Sequence, residues 1–156
     1  MPAAIMVLLT VILTIAVVHV ESGVVQQDQQ TLVTRQFAGQ FRAYSLAALA
    51  FSEANPGYSG SISDAQIASY LSPWTAFTVA HGAGIQGGVL DAWATPPGMV
   101  TPQQSWIARE MTVTDGDVAY SVNTSGTLLS PVGGNEGPAP AGVPNGAAVY
   151  QIQAPN

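Results

Sequence analysis

The spacing of hydrophobic positions takes three forms along this chain, and each form marks a different kind of element. From Pro2 to Val20 the chain is apolar and carries no charge with His19 neutral. Ile5, Leu8, Leu9, Ile12, Leu13, Ile15 and Val18 supply much of its bulk. At the helical rise such a run covers roughly 28 Å, near the thickness of a bilayer's hydrocarbon core. Its aliphatic side chains favour insertion by about 3 to 6 kcal/mol. Residues 1–20 are therefore read as a transmembrane anchor. A cleavable secretory signal is the rival, although its basic n-region reduces here to the terminal amine.

From residue 21 to 54 the apolar positions recur every three or four residues. Val25, Leu32, Val33, Phe37, Phe41, Tyr44, Ala48 and Phe51 form one stripe, with Asp28, Arg35 and Arg42 on the polar side. This predicts a long amphipathic helix, stopped by Asn55-Pro56-Gly57. The stripe has two readings, packing on the chain's own core or forming a seam with a partner subunit. On the second, Phe37, Phe41 and Tyr44 are candidate partner contacts, together with Trp74. Ser63-Asp64-Ala65-Gln66 has capping-box spacing and predicts a short second helix through Leu71.

Beyond Trp74 the pattern shifts to short β-like runs between turn residues. Candidates are Thr75–Ala80, Val89–Ala94, Ile107–Thr114, Val118–Asn123 and Ala148–Ile152. Thr114-Asp115-Gly116-Asp117 reads as a hairpin turn, and Pro131–Asn145 as an irregular loop. The expected fold class is α+β: the transmembrane helix continues into the amphipathic helix, which packs on a small antiparallel sheet in a pilin-like arrangement. Residues 21–156 then form one domain outside the membrane.

Composition narrows the function. The basic residues are Arg35, Arg42 and Arg109, there is no lysine, and the formal net charge is -6. Nucleic-acid binding needs clustered cations, so it is excluded as the main activity. With no cysteine, disulfides and thiolate metal sites are excluded too.

Chemical motifs are sparse. Gly82-Ala83-Gly84-Ile85-Gln86-Gly87 matches the dinucleotide fingerprint, but Thr95-Pro96-Pro97-Gly98 leaves no room for the helix that would hold a pyrophosphate. It is read as a flexible glycine loop, and His81 before it as a solvated turn residue. Asp115 and Asp117 suit turn chemistry better than calcium, whose twelve-residue loop is absent. Trp74, Trp93 and Trp106 are read as core or interface anchors, with a sugar or peptide groove as their other use. No serine elbow or nominated carboxylate pair is present, so no enzyme, cofactor or metal is expected.

Several motifs in order resemble those of the PilM family of conjugative-plasmid type IV (thin) pilus operons. They are Tyr44 in an aromatic helix ending Glu53-Ala54-Asn55-Pro56-Gly57, then Ser61-Ile62-Ser63-Asp64 and Leu71-Ser72-Pro73-Trp74. Gly126-Thr127-Leu128-Leu129 and Val143-Pro144-Asn145-Gly146-Ala147-Ala148-Val149-Tyr150 follow. The resemblance implies a structural component of the pilus assembly apparatus in the inner membrane. It also implies a soluble domain in the periplasm, an orientation that flanking charge leaves open, and contacts with other pilus machinery subunits or pilins. Two alternatives stand beside it: a minor pilin-like subunit within the fibre, and a secreted cell-wall or glycan hydrolase.

Overall fold

The computed structural model describes residues 32–72, 77–98, 120–130 and 134–155. Residues Thr34–Asn156 form one compact unit.

Helix α1 occupies residues 32–54. Its 3.6-residue period gathers Phe37, Phe41, Tyr44, Ala48 and Phe51 on one buried face. Small residues at Ala38 and Ala47 let that face approach its neighbours closely. The helix ends where the Asn-Pro-Gly stop predicts. The Asn55 Nδ2 donates to the Phe51 carbonyl at 2.8 Å, satisfying an acceptor that the last turn leaves open.

Strand β1 (Gly60–Ile62) and the one-turn helix α2 (Asp64–Ile67) follow. The Ser63 N–H donates to Gln66 Oε1 at 2.9 Å, the reach-back expected of the capping box. Then come β2 (His81–Gln86), β3 (Val89–Ala94), β4 (Tyr120–Thr124), β5 (Thr127–Ser130), β6 (Gly134–Pro138) and β7 (Ala148–Gln153). They form one seven-stranded sheet in the order β1-β2-β3-β7-β4-β5-β6, and every pairing is antiparallel.

The sheet buries one face against α1. Leu90, Ala92 and Ala94 of β3, Ile85 of β2, Tyr120 of β4, and Ala148 and Tyr150 of β7 join the helix's aromatic residues in one core. Period-2 alternation sends Asp91, Trp93, Val149 and Gln151 to the opposite face.

The expected fold class is corrected by this topology. The sheet is the dominant element, not a small support for a long membrane-derived helix. Two stretches read as loops are strands: β2 lies within the glycine-rich run and β6 within Pro131–Asn145. Glycine favours turns on average, yet pairing on both sides of β2 overrides that local preference. Gly87 and Gly88, with φ of +59° and +79°, make the two-residue turn into β3. No helix among the described residues is long and apolar enough to cross a membrane. The proposed anchor at Ile5, Leu8, Leu9, Ile12, Leu13, Ile15 and Val18 lies outside the described residues, as do Ile107–Thr114 and its hairpin turn.

Candidate functional site

On the helix side of the sheet, α1, α2 and β2 meet around a pocket of about 240 Å³ lined by Tyr44, Asp64, Leu71, Phe77 and His81. The capping box starts α2 at Asp64, which leaves its carboxylate outside the capping bonds and facing β2. His81 opens β2. Its Nε2 lies 3.2 Å from each Asp64 oxygen, and its Nδ1 lies 2.7 Å from the Val79 carbonyl.

Aromatic edges complete the site. The His81 ring stands edge-on to both Tyr44 and Phe77, with centroid distances of 4.9 Å in each case. Tyr44 and Phe77 are 5.5 Å apart. Tyr44 is 1% exposed, and its buried hydroxyl has no hydrogen-bond partner among the described residues. Burial first, and the Asp64 carboxylate second, push the Tyr44 phenol well above its ordinary range. The Asp64 carboxylate and the His81 imidazole thus meet at the pocket against a wall of the Tyr44 and Phe77 rings, while the Tyr44 hydroxyl itself is buried.

A second pocket opens on the other face, about 170 Å³ in volume and lined by residues of β1, β2, β3 and the loop at residues 140–143. Asp91 accepts from Gln151 Nε2 at 2.6 Å. Burial pushes the Asp91 carboxyl up, and the Gln151 hydrogen bond opposes that shift. Trp93 lies beside Gly82, where a Cβ would stand 3.0 Å from the indole. Among the described residues no group of three or more His, Cys, Asp or Glu gathers to hold a metal ion.

The residues nominated from sequence fall in different places. Phe37, Phe41 and Tyr44 are buried in the chain's own core, so their rings are committed to α1–sheet packing. Trp74 lies outside the described residues. His81, read as a solvated turn residue, is half-buried and paired. The Asp64–His81 contact spans 17 positions of sequence, and no local pattern signals it. The Asp91–Gln151 contact spans 60, though both residues interrupt otherwise apolar strands, a signal that could have nominated them.

The PilM family model matches residues 7–151. Among solved structures, the chain is similar to the crystal structure of a PilM protein from Escherichia coli B7A. They share 22% identity over 80% of this chain and 94% of that one, with a TM-score of 0.54. A PilM protein from Pseudomonas aeruginosa 2192 is 23% identical over 78% of this chain and 94% of its own, with a TM-score of 0.41. At such identity the first likeness speaks for the fold. No curated protein matches the chain.

Proposed function

This chain belongs to the PilM family, and from that membership we propose that it is a structural, non-enzymatic component of a type IV pilus assembly apparatus. The role is pilus-associated, and the observation that carries the finer reading is the family match across residues 7–151. In this reading the soluble domain lies in the periplasm, beside the inner membrane, and meets other pilus subunits there.

The surface supports such contacts. Leu46 on α1, Tyr70 after α2 and Leu129 on β5 are large apolar side chains left exposed. With few charges to desolvate, apolar burial supplies most of the binding energy at such a surface.

The test is deletion of the gene in a piliated strain and complementation with the native chain or Leu46→Ser. The reading expects pili to vanish on deletion and return with the native chain, while the purified fibres lack it by intact-mass analysis. Normal piliation without the chain, or its presence along the shaft, overturns the assembly-component reading.

A further inference from the structure

We propose that the pocket on the sheet face opposite α1 is a binding site for an uncharged pyranose ring, with Trp93 as its platform and Ser61, Gln86 and Asp91 as its polar contacts. This goes beyond the pilus role and does not depend on it.

The site is built by register. Ser61 pairs with Gly84, Gly84 with Asp91, and Asp91 with Gln151, so these four stand in one row across β1, β2, β3 and β7. Gly82 pairs with Trp93 in the adjacent row. Of the three β2 positions on this face, Gly82 and Gly84 are therefore glycine, and only Gln86 carries a side chain to the pocket. The indole of Trp93 uses the space left at Gly82, since a Cβ on Gly82 would meet Trp93 Cε2 and Nε1 at 3.0 Å.

The wall opposite the strands is fixed in advance. Buried Asn123 donates from Nδ2 to the Val143 carbonyl at 2.9 Å and to the Pro144 carbonyl at 3.1 Å. The Gly146 N–H donates to the Asn123 carbonyl at 2.7 Å, and the Ala139 N–H to the Gly126 carbonyl at 2.8 Å. Both ends of the segment carrying Pro140 and Val143 are thus tied to the β4–β5 hairpin. A pocket held open in this way spends little binding energy on ordering itself.

The lining selects the ligand class. An indole face is electron-rich and attracts the polarised C–H groups on one face of a sugar ring. The hydroxyl of Ser61 and the amide of Gln86 each donate and accept, which matches sugar hydroxyls that do the same. Asp91 gives Oδ1 to Gln151 and keeps a second oxygen as acceptor. No basic side chain lines the pocket among the described residues, which disfavours anions. A lysine ammonium can only donate, so it would leave the Ser61 O–H and the Gln86 N–H groups without an acceptor, whereas sugar hydroxyls serve both. Burial also raises the Asp91 carboxyl, weakening it as a counter-ion.

The experiment is saturation-transfer NMR and calorimetry on the full chain with chitotriose, cellotriose and maltotriose, and with a lysine-rich peptide as the comparison. Saturable binding of at least one trisaccharide is expected, weakened about tenfold by Trp93→Ala. Gln86 is exposed, so Gln86→Ala leaves the core intact and weakens the same binding. The proposal is overturned if none of the three sugars saturates at millimolar concentration. It is equally overturned if the peptide binds in their place, or if both variants fold and bind as the native chain does.

Discussion

The imidazole of His81 and the carboxylate of Asp64 join the first residue of β2 to the first residue of α2, at 3.2 Å from Nε2 to each oxygen. The other ring nitrogen faces the Val79 carbonyl at 2.7 Å. A neutral imidazole offers one donor and one acceptor, so it completes only one of these contacts, whereas the imidazolium donates in both. The pair is the polar rim of a pocket whose wall is aromatic, and it holds the short α2 turn against the sheet.

Its energetic weight is small. The Asp64 side chain is 68% exposed, so water screens the attraction. A double-mutant cycle of Asp64→Ala and His81→Gln, read by urea denaturation, is expected to give a coupling below about 1 kcal/mol. A coupling of several kcal/mol would mean that the pair is far less solvated than its exposure indicates.

Tyr44 makes the opposite case, a costly group in a buried place. Its hydroxyl, which has no hydrogen-bond partner among the described residues, carries a desolvation penalty of about 1 to 3 kcal/mol. Tyr44→Phe is therefore expected to hold or raise the denaturation midpoint at neutral pH. The raised phenol adds a pH signature. Above the ordinary tyrosine range the unfolded chain ionises while the folded one resists, so the native protein loses stability as pH rises there. The Phe variant should lose that alkaline slope, which thermal melts across the range would detect.

Phe41 is fully buried and touches both sides of the core. Its ring lies 6.2 Å from Phe37 along α1 and 6.0 Å, edge-on, from Tyr120 of β4. Phe41→Ala is expected to cost about 3 to 5 kcal/mol by urea denaturation, the range for an aromatic removed from a packed core. Leu46→Ser, on the exposed side of the same helix, should cost under about 0.5 kcal/mol. Loss of pili in the Phe41 variant alone would then report unfolding, and loss in the Leu46 variant a surface contact.

Legibility in the sequence followed the strength of the local pattern. The α1 stripe, its Asn-Pro-Gly stop and the alternation in Val89–Ala94 were plain, because each repeats a period over several residues. β1, β2 and β6 were not, because Gly60, Gly82, Gly84, Gly134 and Gly137 remove the side chains on which period-2 reasoning depends. Their pairing is fixed by neighbours distant in sequence, so the sheet's full width stays hidden. The stripe's direction was readable but not its destination. Phe37, Phe41 and Tyr44 have the same spacing whether they meet a partner or the chain's own sheet, and only the fold decides between them. The pocket residues were harder still, since Asp64 and His81 become neighbours only when β2 pairs with β1.

Gly82 tests whether bare backbone on β2 is needed for its neighbour. Its φ lies outside the positive region, so the constraint is contact and not backbone strain. Gly82→Ala places a methyl 3.0 Å from the indole, which Trp93 can relieve by a small shift, whereas Gly82→Val forces it away. A blue-to-red change in tryptophan emission is expected for the valine variant, with a loss of about 1 to 3 kcal/mol from overpacking. An unchanged spectrum in a folded Gly82→Val protein would refute the close approach.

Asp91 provides the acid-side counterpart to Tyr44. Burial raises its carboxyl, and the hydrogen bond from Gln151 offsets part of that shift. Between the ordinary carboxylate value and the raised one, the folded chain therefore holds more protons than the unfolded chain. Stability from this group is fully present below the ordinary value and is lost as pH rises through the raised one. Asp91→Asn keeps an acceptor for Gln151 Nε2 but cannot ionise. Its midpoint in urea, relative to the native chain, is expected to improve steadily from acid to neutral pH. Because the group is only half-buried, solvent limits the gain, and the direction is the diagnostic feature. A relative midpoint that worsens over the same interval would mean that the charged carboxylate is the form the fold favours, reversing the electrostatic account of this face.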